Sequence, residues 1–128
     1  VLRGLHYQLP PYTQSKLVRV IDGSVLDVVV DIRKSSSTFG QHVALKLTAK
    51  NKHQLFIPHG FAHGYVVLSN SATFAYKVDN YYAPDYDRGI AFDDTKLGID
   101  WQLPIKALQI SDKDKTHPKL SEAIDLFD

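Results

Sequence analysis

Ser24-Val25-Leu26-Asp27-Val28-Val29-Val30-Asp31-Ile32 (SVLDVVVDI, residues 24–32) is the stretch whose reading decides the fold class. Side chains on a strand point to alternate faces. Leu26, Val28, Val30 and Ile32 therefore share one wholly apolar face, and Val25, Asp27, Val29 and Asp31 share the other. A run this rich in β-branched residues favours an extended chain. The second face alternates valines with an acidic pair, which suggests a barrel whose second face is a polar cavity.

Period-two patterning continues on either side of this stretch. Further strands are expected over residues 1–7, 16–21, 41–48, 53–57, 64–68, 73–78 and 90–92. Asp22-Gly23 has the chemistry of a tight hairpin turn. Pro10-Pro11, Ser35-Ser36-Ser37, Asn51-Lys52, Pro58-His59-Gly60 and Asn70-Ser71 punctuate the rest. Many short strands at this spacing predict a single all-β domain, an antiparallel sandwich or barrel. The one helical candidate is a short, weakly amphipathic segment over residues 119–126. No repeat, linker or low-complexity stretch interrupts the chain.

The chain has 128 residues, which fits one domain with a real core but not two domains. A net charge of +1 gives no electrostatic reason to expect nucleic acid or an anionic membrane as partner. There are no cysteines, which removes disulfides and thiolate metal sites and suits a reducing compartment. These residues contain neither a long apolar run nor a charged-then-apolar leader, so a cytoplasmic protein is expected. The sequence also lacks methionine and begins on Val1-Leu2-Arg3, already strand-like. An N-terminal segment preceding it is therefore expected.

The densest polar cluster is Arg3-Gly4-Leu5-His6-Tyr7-Gln8. Strict alternation puts Gly4, His6 and Gln8 on one face, and Arg3, Leu5 and Tyr7 on the other. A histidine and an amide facing a cavity suit a base beside a polar substrate. From these residues alone, the more common reading of His6 is a core position satisfied by a backbone carbonyl. Ile57-Pro58-His59-Gly60-Phe61-Ala62-His63-Gly64 is a proline–glycine turn followed by a histidine, similar to the second cupin motif. The first cupin motif would need His-x-His after Gly23, where Val29 and Asp31 stand. A lone His63 is a poor site for zinc or iron, which take three or four protein ligands, so no metal is expected. Tyr76, Tyr81 and Tyr82 suit stacking or proton donation, and also plain structural roles at strand ends. Lys16 reads as a solvated edge lysine, and Ser111-Asp112-Lys113-Asp114 as a charged surface turn.

The segments VLRGLHYQ, QSKLVRVIDGSVLDVVVDIRKSSSTFGQ, NKHQLFIPHGFAHGYVVLS, YKVDNYYAP, LGIDW and ISDKD follow one another in an order and spacing that resemble the dTDP-4-dehydrorhamnose 3,5-epimerase family. The resemblance extends from Val1 to about Pro118. It implies a cupin-type antiparallel β-sandwich or jelly-roll barrel, a homodimer, no cofactor, and a dTDP-4-keto-6-deoxyhexose substrate. It further implies His6 as catalytic base, Asp114 as its partner (with Asp112 the alternative), Tyr76 as general acid and Lys16 at the enolate oxygen. Arg3 and Lys113 would contact the diphosphate. Gln8, His63, Tyr82 and Asp87 would line the sugar and nucleotide pocket. Asp87 stands where the family commonly has Glu, and the sequence starts at the first family motif, without the N-terminal segment usual in the family that is expected to precede it.

The implied chemistry is coherent. Protons at C3 and C5 are both α to the C4 ketone, so one polarised carbonyl serves both abstractions. Inversion needs a base on one face and an acid on the other, each worth about 10²–10⁴-fold. A lysine ammonium at the enolate supplies the electrostatic part without a metal. A mono-epimerase, a ketoisomerase and a non-catalytic sugar-nucleotide-binding cupin are the competing expectations.

Overall fold

The computed structural model describes residues 1–128. Its strands are β1 (Leu2–Gln8), β2 (Lys16–Asp22), β3 (Ser24–Asp31), β4 (His42–Thr48), β5 (Gln54–Ile57), β6 (Phe61–Val67), β7 (Thr73–Val78) and β8 (Asp87–Gly89). They form two antiparallel sheets, a five-stranded one in the order β4-β3-β6-β1-β8 and a three-stranded one in the order β5-β2-β7. No helix is long and apolar enough to cross a membrane.

β3 behaves as its alternation requires. Leu26, Val28, Val30 and Ile32 join one core cluster, and Val25 and Val29 join another. The second cluster fills the space between the sheets, where Val18 and Val20 of β2 and Ile57 of β5 meet Leu47 of β4. The first lies on the far face of the large sheet, beneath the chain after β8: Phe92, Leu97 and Trp101 are buried in it, and Leu120 and Phe127 pack against it. The Trp101 indole donates to the Phe92 carbonyl at 3.0 Å, so the ring is buried without an orphaned donor. Burying each such large apolar side chain contributes about 1.5–3 kcal/mol over leaving it exposed. The sandwich therefore has an inner core and an outer one.

Four expectations need correction. The segment 119–126 is not a helix; only a 3-10 turn, Leu120–Glu122, forms there. Asp94 takes the Leu120 amide at 2.9 Å, and Phe127 bridges to Arg33, so tertiary contacts hold the segment extended. The last strand is Asp87–Gly89 rather than 90–92. Ile90 still exchanges both backbone bonds with Leu5, but Ala91 turns to Pro118 and the ladder ends. Asp31 does not enter a cavity with Asp27. As the last residue of β3 it collects the Arg33 guanidinium and the Ser36 and Thr38 hydroxyls, and so organises the following turn. β2 lies at the centre of its sheet, so Lys16 is not an edge lysine.

Alternation also fails within β1. Its pairing with β6 shifts between Arg3 (opposite Tyr65) and His6 (opposite His63). Two residues, Gly4 and Leu5, occupy the interval, so Arg3 and His6 face the same side. Leu2, Leu5 and Tyr7 go to the outer core. The shift depends on glycine at both strands: a Cβ on Gly4, at φ +139°, would lie 2.6 Å from Gly64 Cα.

Candidate active site

Between the sheets, beyond the inner core, the fold leaves a cavity of about 400 Å³. That is within the usual range for a small-molecule site. Its walls come from opposite sheets, and register decides what each wall carries. On β2, Lys16 falls on the same face as buried Val18 and Val20, and it pairs with Ile57 and Val78. Tyr76 pairs with Val18 and so points inward too. Lys16, Phe74, Tyr76 and Val78 thus form the wall of the small sheet. The large sheet supplies Arg3, His6 and Gln8 from β1, His63 and Tyr65 from β6, and Asp87 from β8. Tyr82 and Lys113 arrive from loops.

Nine of the ten residues named from the sequence therefore line one cavity; the tenth, Asp114, is buried behind His6. His6 Nε2 is 2.5 Å from Asp114 Oδ1. The Asp114 carboxyl is penalised by burial, but the His6 contact, the Gly4 amide and Ser111 outweigh this and hold its proton affinity below the usual carboxylate value. An ionised carboxylate only accepts, so Nε2 of His6 carries the proton and Nδ1 keeps a bare lone pair. His6 is thus built as a base. Asp112 is exposed and takes no part in this contact.

Deeper in, His63 Nε2 is 2.5 Å from Asp27 Oδ1. Burial pushes the His63 imidazolium down in pKa, against the pull of Asp27. Asp27 Oδ2 is buried without a hydrogen-bond partner. The compensating charge is Lys16, whose ammonium is lowered in pKa by desolvation while Asp27 and Asp87 oppose that shift. Lys113 is paired with Asp87, which raises the pKa of the lysine. Gln8 lines the cavity, but its amide is engaged: Nε2 donates to the Tyr12 and Tyr81 carbonyls, and Oε1 accepts from Ala83. It holds the loop on which Tyr82 sits. Tyr76 and Tyr82 are 62% and 65% exposed and stand at the mouth, whereas Tyr81, at 83%, lies outside the lining.

Two residues of this site escaped the sequence reading as site residues. Asp27 was legible as an acidic position on the inner face of β3, but its pairing with His63 needs the β3–β6 register. His117 has no local signal, yet its Nε2 lies 3.3 Å from the Asp114 oxygen that His6 uses. His6, Asp114 and His117 bring three donor atoms within 4.8 Å of one another. They do not fit a resident metal: two ligands held tetrahedrally at about 2.0 Å from an ion stand more than about 3 Å apart. The His6–Asp114 distance of 2.5 Å is that of a hydrogen bond.

Residues 1–122 match the family model for dTDP-4-dehydrorhamnose 3,5-epimerase. The dTDP-4-dehydrorhamnose 3,5-epimerase of Shigella flexneri is 54% identical over 123 residues, an alignment covering 96% of this chain and 67% of that protein. The crystal structure of dTDP-6-deoxy-D-glucose-3,5-epimerase from Legionella pneumophila, in complex with dTDP-4-keto-L-rhamnose, superposes with a TM-score of 0.90 at 50% identity. That match covers 94% of this chain and 63% of the Legionella one, so the chain spans a little under two thirds of that relative. A 3'-monoepimerase from Streptomyces bikiniensis, in complex with dTDP-quinovose, superposes with a TM-score of 0.87 at 34% identity, covering 94% of this chain and 61% of that one.

Proposed function

Since this chain belongs to the dTDP-4-dehydrorhamnose 3,5-epimerase family, we propose that it is an isomerase acting at C3 and C5 of dTDP-4-dehydro-6-deoxy-D-glucose. The product is dTDP-4-dehydro-L-rhamnose, in the route to dTDP-L-rhamnose. The observation that carries this reading is a carboxylate-paired histidine on one sheet facing a tyrosine and a lysine on the other across a single cavity.

The chemistry follows from that arrangement. Nδ1 of His6 takes the proton from a carbon next to the C4 ketone, and the C–H electron pair moves into an enolate. The positive charge gained by His6 is stabilised by Asp114. The charge developing on the ketone oxygen is met by the Lys16 ammonium, which is already desolvated and therefore acts in a low dielectric. The Tyr76 hydroxyl returns a proton from the opposite face, inverting the centre, and the same enolate chemistry serves the second centre. No electron transfer occurs, so no redox cofactor enters the balance. Arg3 and Lys113 meet the diphosphate, which takes over Lys113 from Asp87. His63, Tyr82 and Asp87 border the sugar and nucleotide, with Gln8 acting through the loop it holds.

The protein works as a homodimer in the cytoplasm on this reading. Leu17 and Phe56, neighbours on the outward face of the small sheet, are 37% and 60% exposed, and a second copy would cover them. Sedimentation of the full-length protein tests this, and a monomer would sink it.

The decisive experiment is turnover of dTDP-4-keto-6-deoxyglucose in deuterated water. Incorporation at both C3 and C5 with inversion is expected. Incorporation at one centre would make the protein a mono-epimerase; binding with no incorporation would make it a non-catalytic binder.

A further inference from the structure

The Asp114 carboxylate serves two histidines, and only one of them faces the cavity. His117 Nε2 approaches Oδ1 at 3.3 Å, the same oxygen that His6 Nε2 reaches at 2.5 Å. The two rings stand edge to face, 5.7 Å between centroids. His117 is 10% exposed at its side chain and is absent from the lining of the main cavity. It borders instead a smaller cavity of about 210 Å³ on the other side of β8. Its seat is specific, because the ring lies against Gly89, where a Cβ would come within 2.4 Å of ring atoms. β8 therefore has room for this imidazole only through a glycine directly opposite His6 in the ladder.

From this geometry we propose that His117 is a positioning residue that fixes the Asp114 carboxylate and moderates its pull on His6. The inference rests on the reading of His6 as base. Asp114 accepts only, so His117 also presents an N–H to it. Two donors on one oxygen divide its negative charge. The share left for His6 decides how strongly the imidazolium formed in the reaction is stabilised, and a base held too strongly would be protonated before substrate arrives. Burial and the neighbouring His6 keep His117 itself below the usual histidine pKa, with Asp114 opposing, so it acts as a neutral donor. The other charged groups nearby are Lys113 in the same loop, His63 of β6 opposite His6 in the ladder, Asp87 and Arg88 of β8, and Glu122 and Asp125 around the small cavity. All of these are retained when His117 alone is changed.

The test compares the unmodified protein with His117→Phe, which keeps a ring against Gly89 and deletes the donor, and His117→Gln, which returns a donor. Two readouts are taken: the NMR titration of the His6 imidazole, with no substrate present, and the pH profile of kcat/KM. In His117→Phe the full Asp114 charge falls to His6. The His6 midpoint and the acidic limb of kcat/KM should both move to higher pH by about half to one unit, and His117→Gln should return both towards the original values. If His117→Phe fails to fold, His117→Asn, too short to reach Asp114, must show the same displacement. A deletion variant that folds and leaves both midpoints in place overturns the proposal, as does one that loses stability and activity equally at every pH. Because the titration needs no substrate, the two readings fail separately. Absence of His6-dependent turnover in the unmodified protein would remove the epimerase reading and leave the His117 result standing.

Discussion

His6 and Asp114 are separated by 108 positions in sequence, and the fold closes that distance to 2.5 Å between Nε2 and Oδ1. Both ends are anchored independently. His6 is held in the ladder between Gly89 and His63. Asp114 is held by a turn in which its own amide meets Ser111 and its second oxygen accepts from the Gly4 amide. The pair is thus held in place from both sides, which on the proposed reading makes it a preorganised base.

His6→Ala should lower turnover by about 10²–10⁴-fold with little change in substrate affinity if, as proposed, the ring acts in the proton transfer rather than in binding. Asp114→Asn should cost about 10²-fold or more, because an amide can donate to Nε2 and so turn the imidazole to the wrong tautomer. Steady-state kinetics and substrate titration of the purified, folded variants check both. Near-normal turnover of His6→Ala would eliminate it as the base.

Activity should survive exhaustive chelation. Val29 and Asp31 stand where a metal-binding cupin would carry His-x-His, and Asp31 is fully engaged by Arg33, Ser36 and Thr38. The assay is turnover before and after chelator treatment. Loss that is restored by one divalent ion would overturn the metal-free reading.

Asp31 itself should matter for stability in a pH-dependent way. Burial penalises its charge, but the hydrogen bonds from Arg33, Ser36 and Thr38 outweigh that and lower its pKa far below the ordinary 3.8. A lowered folded-state pKa stabilises the protein above the unfolded value, and the contribution is lost as pH falls towards the folded one. Asp31→Asn should therefore cost about 1–3 kcal/mol at neutral pH. The gap to the unmodified protein should narrow steadily as pH drops below about 4. Denaturant melts at pH 7 and pH 3 measure this; a gap that is constant with pH would mean the carboxylate charge contributes nothing.

How far the sequence could be read depended on the range over which each feature is determined. The two faces of β3 followed from local alternation, since Leu26, Val28 and Val30 need only a strand to be sorted from Val25 and Val29. The β1 shift did not. Nothing between Arg3 and His6 announces an irregularity until Gly64 is laid opposite Gly4, a contact 60 positions away in the chain. Asp114 entered only through family resemblance, because a charged turn gives no sign of what it packs against. His117 stayed silent for the same reason. The Ile90–Phe92 run misled because Ile90 and Phe92 are both buried in the outer core, although only Ile90 is still paired with β1, and apolar burial past the end of a ladder looks like a strand.

Tyr76 is where chemistry and binding can be separated. It is 62% exposed, at the cavity mouth, with its ring 6.3 Å from that of Phe74. Tyr76→Phe keeps the ring, and a hydroxyl so exposed contributes little to folding, so the variant should be as stable as the unmodified protein. Even a buried hydrogen bond is worth only about 0.5–1.5 kcal/mol, too little to imitate the loss of an essential acid. The experiment follows exchange at C3 and C5 in deuterated water alongside product stereochemistry. Deprotonation by His6 on the opposite sheet needs no phenol, so exchange should persist. Inversion should fall much further than exchange, by about 10²-fold, because the enolate is then reprotonated from the side that lost its proton. Equal suppression of both, with substrate still bound, would make Tyr76 a positioning group. Undiminished inversion at both centres would remove it as the acid and leave Tyr82, the other tyrosine at the mouth, as the group to test.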